Sequence, residues 1–169
     1  IFYDKTATRI INNMMVSQTG GVHAVYGSKG TGKSFLFKNL NFISRQQNIL
    51  VVNFEVQKII DSNFLLHTFC NVLTNKLSFV SKEINKMNHD DLQEVKKILK
   101  MKFKTISDDE KKNYRKKLIN YLIFLNDIIK LHEIKILFTY DNVDQLPIAD
   151  MLKVLQLLRY VKNYADNIN

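Results

Sequence analysis

One eight-residue segment limits the possible folds of this chain more than any other feature: it reads Gly27-Ser28-Lys29-Gly30-Thr31-Gly32-Lys33-Ser34. All five glycines of the chain lie within residues 20–32, so the freedom of the backbone is concentrated here. Glycines at these spacings let successive backbone N–H groups point inward around phosphate oxygens, and the lysine and serine can reach a phosphate and a metal ion. The segment therefore satisfies the pattern of a phosphate-binding loop, the Walker A motif.

The neighbouring sequence supplies the context that such a loop requires. Residues 22–26 form a short apolar run with β-branched and aromatic side chains, which predicts a buried strand directly before the loop. Residues 33–46 carry apolar side chains at helical spacing, and residues 49–54 have the composition of a second buried strand. The order strand, loop, helix, strand predicts a parallel sheet that is covered by helices on both faces.

The rest of the chain is mostly helical in pattern. Helices are predicted over residues 6–17, 64–77 and 148–165, and a further helix is predicted to start in the segment 107–110, where a serine precedes three acidic residues. The whole stretch of about 61–130 is helical and charged, so we expect a long helical insertion there.

A second motif follows the apolar strand predicted at residues 134–140. Asp141 would lie at the carboxyl end of a buried parallel strand, beside the phosphate-binding loop, which is the position of a Walker B aspartate. We predict that the Ser34 hydroxyl ligates magnesium, that Asp141 holds the ion through water, and that Lys33 contacts the β- and γ-phosphates. Asp144 is predicted either to polarise the attacking water or to cap the helix after Pro147. The predicted nucleotide contacts are Gly27, Ser28, Lys29, Gly30, Thr31, Gly32, Lys33, Ser34 and Phe35.

These features predict the α/β class: a three-layer α/β/α P-loop NTPase fold with a parallel sheet and a helical insertion before the Walker B strand. A length of 169 residues suits one domain with one sizeable core. We expect this core to be incomplete at its C-terminal side, because the next strand would begin near residue 169. The chain starts with Ile1 rather than methionine, which favours a piece of a longer protein.

The loop together with Ile136-Leu137-Phe138-Thr139-Tyr140-Asp141-Asn142-Val143-Asp144 resembles the AAA+ and STAND branch of P-loop ATPases, which includes origin-recognition-like, NACHT-like and KAP-like proteins. The resemblance covers the whole chain in outline, and the two motifs are its specific part. Most AAA+ members carry a water-activating glutamate directly after the Walker B aspartate, where this chain has Asn142, and that departure argues against fast hydrolysis. Many STAND and KAP-type sequences place an acidic residue three positions after the aspartate, which Asp144 matches.

The resemblance implies a magnesium-dependent ATPase that acts as a nucleotide-dependent switch or motor within a larger protein, with ATP and Mg²⁺ as cofactors. Two alternatives stay open. Asn142 favours a nucleotide-binding domain without hydrolysis, and Glu55 follows the second strand where small-molecule kinases often hold an acid. A GTPase is not indicated, because the base-reading Asn-Lys-x-Asp motif is missing after the later strand.

The net charge and the apolar content of the chain indicate which partners it could bind: nucleic acid, other protein domains or a membrane. A net charge of +9 and the lysine-rich stretches 96–104 and 111–117 suggest nucleic-acid contact, although amphipathic helices with a solvated lysine face explain the same residues. The family resemblance implies self-association or contact with other domains of the same protein. No stretch approaches the roughly 20 apolar residues that span a bilayer, so we predict no membrane contact and a cytoplasmic location. The single cysteine, Cys70, is predicted to pack in the core.

Overall fold

The computed structural model describes residues 2–16, 25, 28, 30–45, 47–54, 64–101 and 106–168. The elements in chain order are α1 (Phe2–Val16), α2 (Lys33–Ser44), β1 (Ile49–Phe54), α3 (Leu65–Lys76), α4 (Ser78–Asn85), α5 (His89–Lys100), α6 (Asp108–Leu131), β2 (Lys135–Tyr140), a 3-10 turn (Val143–Gln145) and α7 (Ile148–Tyr164). The strand predicted at residues 22–26 lies outside the described residues except for Val25, which belongs to no regular element. Over the ranges described, none of the helices combines the length and the apolar character that a membrane crossing requires.

The sheet contains β1 and β2, which pair in parallel with Ile49 opposite Lys135 and Phe54 opposite Tyr140. On the other side of β2, Ile136 forms a parallel bridge with Ile168. The Lys135 N–H donates to the Asn48 carbonyl oxygen before β1, and the Ile136 N–H donates to the Asn167 carbonyl oxygen, so β2 has a partner on each side. The predicted α/β class with parallel pairing is confirmed at this level, whereas the wider three-layer sheet stays a prediction.

The side chains of the two strands alternate between the two faces of the sheet. On one face, Val51 and Leu137 pack against α1 and α2. On the other face, Val52 and Ile136 belong to a larger core that includes residues of α3, α6 and α7. Helices therefore lie against both faces of this strand pair. Because the strands are parallel, the residues that follow β1 and β2 emerge at the same edge of the sheet.

The start of α6 shows how local sequence determines a helix boundary. The Ser107 hydroxyl oxygen accepts the Glu110 N–H, and the Ser107 N–H donates to Glu110 Oε2 at 3.1 Å, so that the two residues form a capping box. Asp108 and Asp109 add negative charge to the first turn, where the helix dipole favours it. The helix start predicted at residues 107–110 is confirmed. Cys70 is buried as predicted, and burial raises the pKa of its thiol.

A buried asparagine on α6 holds the segment that leaves α7. Asn126 Nδ2 donates to Asp166 Oδ1 at 2.8 Å, and Asn126 Oδ1 accepts the Asn167 N–H at 3.0 Å. Because the Asn126 side chain is only 7% exposed, an unpaired amide at this position would be costly. The two bonds fix the direction of the chain immediately before Ile168 joins the edge of the sheet.

Replacing Asn126 by alanine is expected to lower the free energy of unfolding by about 1–3 kcal/mol, because the Asn167 N–H loses its acceptor in a buried environment. Chemical denaturation followed by circular dichroism measures the change. Asn120→Ala, at an exposed position of the same helix, is the matched control and should stay within about 0.5 kcal/mol of the wild type. Equal stability of the two variants would contradict this role of Asn126.

A histidine on α3 contacts the carboxyl end of α5. His67 Nε2 lies 2.9 Å from the Ile98 carbonyl oxygen, and Asn71 Nδ2 donates to the Leu99 carbonyl oxygen at 3.4 Å. Both carbonyl groups belong to the last turn of α5, which lacks the donors of a following helical turn, and the Ile98 oxygen also accepts the Met101 N–H at 3.2 Å. Burial lowers the pKa of the His67 imidazole, and the hydrogen bonds to the backbone oppose this shift only in part. The folded protein therefore favours the neutral ring.

The lowered pKa of His67 predicts a loss of stability in mild acid. Its contribution is fully present above the unperturbed pKa of 6.5 and is lost as the pH falls towards the lower pKa of the folded state, because the unfolded chain takes up a proton that the folded chain resists. Between about pH 7 and about pH 5, the unfolding free energy of the wild type should therefore fall more steeply than that of His67→Gln. Urea denaturation at a series of pH values measures both slopes. His89→Gln, at an exposed position of α5, should keep the wild-type slope; parallel slopes for the wild type and His67→Gln would exclude this role.

Candidate functional site

The two motifs meet at the carboxyl edge of the sheet. Ser34, in the first turn of α2, donates its hydroxyl hydrogen to Asp141 Oδ2 at 2.7 Å, although the two residues are 107 positions apart. Asp141 follows directly on β2, and α2 packs against β1. Because β1 lies beside β2, the packing of α2 on β1 brings the first turn of α2 to the end of β2. Two of the predicted site residues are in direct contact.

The loop before α2 has the backbone conformation that its glycines were predicted to supply. Gly30 and Gly32 have φ angles of 86° and 88°, a left-handed region that other residues resist. A Cβ atom at Gly30 would have no heavy atom within 4 Å, so the backbone angle, and not lack of space, calls for glycine there. The structure does not describe two further residues of the predicted loop, Gly27 and Lys29.

The carbonyl group of Ser28 organises the described part of the loop. It accepts hydrogen bonds from Thr31 Oγ1 at 2.8 Å and from the Thr31 N–H at 3.3 Å. Lys33 Nζ also donates to this oxygen, at 3.2 Å. The Lys33 side chain thus folds back onto the loop that precedes its helix.

The N-terminus of α2 suits an anion. Gly32 is the N-cap residue and offers no side-chain cap, and the first turn of the helix contains no acidic residue. A helix start of this kind combines backbone N–H groups with the positive end of the helix dipole. Phe35, which was predicted to contact nucleotide, lies in this turn with 53% of its surface exposed.

The residues after β2 form a short turn. Asn142 has a left-handed backbone with φ of 59°, and its N–H donates to Asp141 Oδ1 at 2.9 Å. The carboxamide oxygen of Asn142 accepts from Gln145 Nε2 at 3.4 Å. Both oxygens of Asp141 are therefore hydrogen-bonded, which holds the carboxylate in one orientation.

Asp144 lies in the same turn and is exposed. The alternative prediction that it caps the following helix is wrong, because the N-cap of α7 is Pro147 and no side chain caps that helix. The Pro147 side chain has no oxygen that could accept an N–H group of the first turn, so the N-cap residue supplies no side-chain cap. The Asp144 carboxylate is thus left on the surface of the turn that follows Asp141.

The distance between the side-chain oxygens of Ser34 and Asp141 can be compared with the spacing of ligands around a magnesium ion. Mg²⁺ prefers hard oxygen ligands at about 2.0–2.1 Å in octahedral geometry, so that adjacent ligands lie about 2.9 Å apart. Ser34 Oγ and Asp141 Oδ2 are separated by 2.7 Å. A hydroxyl and a carboxylate oxygen at this spacing fit neighbouring positions around one ion. Mg²⁺ in such sites is commonly completed by water and phosphate oxygens.

The lysine-rich stretches predicted as a nucleic-acid contact are partly neutralised. Lys111 and Lys112 pair with acidic residues one turn earlier in α6, at 3.0 and 3.7 Å. Lys117 Nζ lies 2.8 Å from Glu94 Oε1 of α5, and this hydrogen bond raises the pKa of Lys117. These pairs reduce the positive field that would attract phosphate groups, since each lysine faces a carboxylate of its own chain. Residues 102–105 of the first stretch lie outside the described ranges.

One polar pair at this edge of the sheet was not predicted from the sequence. Thr139 Oγ1 on β2 donates a hydrogen bond to Asn53 Oδ1 on β1. The signal in the sequence was the single amide within the otherwise apolar strand Ile49–Phe54. Glu55, which was considered as a kinase acid, is outside the described residues.

Comparison with known proteins gives one match. A family model for the KAP family P-loop domain matches residues 3–168 of the chain. Searches of curated proteins and of solved structures gave no significant match. The matched range includes both motifs and the described strands and helices between them.

Proposed function

The chain belongs to the KAP family of P-loop domains, and we propose that it binds ATP together with magnesium at the loop of residues 27–34 and at Asp141. The observation that carries the proposal is the 2.7 Å hydrogen bond from Ser34 Oγ to Asp141 Oδ2. In P-loop proteins, magnesium is held by the serine or threonine of the loop and by the Walker B aspartate. This pair of side chains has the contact that such a role requires.

The roles in phosphate binding follow from the position of each group. The loop amides and the N-terminus of α2 would surround the phosphates, because both offer N–H groups and positive partial charge. Lys33 Nζ would exchange the Ser28 carbonyl oxygen for an oxygen of the β- or γ-phosphate, which is a charge-assisted and stronger acceptor. Bound Mg²⁺ would neutralise charge on the phosphates. Ser34 and Asp141 would hold the ion in place.

Hydrolysis, if it occurs, is expected to be slow. The residue after Asp141 is Asn142, whose carboxamide cannot accept a proton as a carboxylate does and whose oxygen is engaged by Gln145. We propose that Asp144 orients or polarises the attacking water, since it is the exposed carboxylate of the turn after Asp141. The same observation on Asn142 supports a second candidate function: a domain that binds ATP without turnover.

On the level of the whole protein, we propose a nucleotide-dependent switch of the STAND type. Exchange of ATP for ADP changes the contacts at the carboxyl edge of the sheet, and this change would alter assembly with other domains or with further copies of the chain. We propose that the helices α5 and α6 of the helical insertion take part in such an assembly. Contact with nucleic acid receives less support, because several lysines of these helices are paired within the chain.

Isothermal titration calorimetry of the 169-residue chain with ATP tests the proposal, in the presence of magnesium and again in EDTA. We expect saturable binding of ATP that is tighter with magnesium, and weaker binding of GTP. Phosphate release, measured separately, distinguishes a slow ATPase from a binding domain. Absence of any nucleotide binding by the folded chain would contradict the proposed function.

A further inference from the structure

A polar pair crosses the sheet next to the proposed nucleotide site. Asn53 is the penultimate residue of β1, and Thr139 is the penultimate residue of β2 directly opposite it in the register. Asn53 is exposed, whereas Thr139 is only 6% exposed. The strand around Asn53 is otherwise apolar. The exposed Asn53 amide adds no apolar surface to the core, and its contact with the buried Thr139 accounts only for its oxygen.

The hydrogen bond between the two side chains has a defined direction. Thr139 Oγ1 donates to Asn53 Oδ1. This bond occupies the carboxamide oxygen and turns the Nδ2 amino group of Asn53 away from Thr139. Among the residues that the structure describes, no partner is found for Nδ2, although an amide nitrogen carries two donors. The donor side of Asn53 is thus oriented by its neighbour and available.

The position of Asn53 relative to Ser34 and Asp141 follows from the pleat and the register. Thr139 and Asp141 are two residues apart, so their side chains point to the same side, which is the side of Val51 and Leu137 that packs on α2. Asn53 shares this side because it is two residues from Val51. Strand spacing and rise place the Cα atoms of Asn53 and Asp141 about 8 Å apart. Asn53 therefore lies two residues before the level of Asp141 on the neighbouring strand, on the side of the sheet against which α2 packs.

We propose that Asn53 determines the preference of the site for a nucleoside triphosphate over a diphosphate by donating a hydrogen bond from Nδ2 to the terminal phosphate. Thr139 is the positioning residue, which holds the carboxamide with its donor side outward. The inference rests on the proposed function, because it assumes that the phosphates lie between the loop and Asp141. It adds a contact that neither the loop nor the aspartate supplies.

The chemistry of the site explains why an amide suits this position. A phosphate chain is rich in acceptors, and Asp141 adds two further acceptor oxygens at the same edge. A neutral donor meets the terminal phosphate without repulsion, and it does not compete with Asp141 for a metal ion. A carboxylate in place of Asn53 would repel the phosphate that distinguishes ATP from ADP.

The test is calorimetry of the whole chain with magnesium-ATP and with magnesium-ADP. Asn53→Ala is expected to weaken ATP binding about tenfold and to leave ADP binding within about twofold, as the loss of one hydrogen bond to a charged group would do. Asn53→Asp should weaken ATP binding by more than about tenfold, because it adds repulsion. Thr139→Val should lower the ATP preference about threefold, whereas Thr139→Ser retains the hydroxyl and should restore it.

Controls separate this role from a structural one. Thermal unfolding and ADP affinity report damage to the fold, and Asn120→Ala removes an exposed asparagine far along the chain in α6 and should leave both affinities unchanged. If the wild type binds both nucleotides and Asn53→Ala keeps the wild-type ratio of ATP to ADP affinity, the inference about Asn53 alone is overturned. If the wild type binds neither, the proposed function is wrong and this inference falls with it.

Discussion

Replacing Lys33 by alanine is expected to weaken the binding of magnesium-ATP roughly a hundredfold. A hydrogen bond from an ammonium group to a charged acceptor contributes up to about 3 kcal/mol, and each 1.4 kcal/mol corresponds to about a tenfold change in affinity. The Lys33 ammonium group lies 3.2 Å from the Ser28 carbonyl oxygen of the loop, so the truncation removes a positive charge at the proposed phosphate position. Calorimetry on the wild type and the variant measures the difference directly.

Lys38 provides the matched control for this substitution. It is an exposed lysine of the same helix, about one turn beyond Ser34, and Lys38→Ala removes an equal charge. We expect its ATP affinity to stay within about twofold of the wild type, since exposed charges are screened by solvent and salt. If both variants lose affinity equally, Lys33 acts only through the net charge of the chain, and the proposed phosphate site is wrong. An unchanged ATP affinity of Lys33→Ala would also contradict the proposed phosphate site.

Replacing Asp141 by asparagine is expected to remove most of the gain in ATP affinity that magnesium confers, a change of about tenfold or more. The asparagine keeps the shape of the side chain and an oxygen for the Asn142 N–H, but it lacks the negative charge that attracts the ion. The measurement is the ratio of ATP affinities with magnesium and with EDTA. For the wild type this ratio should be large, and for Asp141→Asn it should approach one.

Two further variants make this result specific. Asp127→Asn removes a carboxylate from an exposed position of α6 and should keep the wild-type ratio. Ser34→Ala should lower the ratio less than Asp141→Asn, because it removes a neutral ligand and its 2.7 Å bond to Asp141. An intact magnesium effect in Asp141→Asn would show that the ion, if bound, is held elsewhere. A magnesium effect missing already in the wild type would contradict the metal part of the proposed function.

Much of the secondary structure could be predicted from short stretches of sequence. β1 has the predicted bounds of residues 49–54, because six consecutive residues with one amide among apolar side chains are typical of a buried strand. The start of α6 follows from Ser107 and Glu110, which form a capping box within four residues. Such signals are reliable because the interactions behind them are local.

Features that depend on contacts between distant parts of the chain could not be predicted as well. The alternative that Asp144 caps the next helix was wrong, because the N-cap residue of α7 is Pro147, three positions later, and it has no side-chain cap. The pairs of Thr139 with Asn53 and of Asn126 with Asp166 could not be foreseen, since one requires the strand register and the other requires the packing of α6 beside the end of α7. Each of these contacts joins residues that are 40 or more positions apart.

The sequence by itself determined the chemistry that this chain can offer. Residue types in the two motifs specify backbone amides, a lysine, a serine hydroxyl and a carboxylate, and glycines allow the left-handed angles seen at Gly30 and Gly32. Only the tertiary structure decided that Ser34 meets Asp141, and that Asn53 shares their side of the sheet. The physical reason is that composition and spacing act over a few residues, whereas the pairing of β1 with β2 and the packing of α2 depend on side chains far apart in the chain.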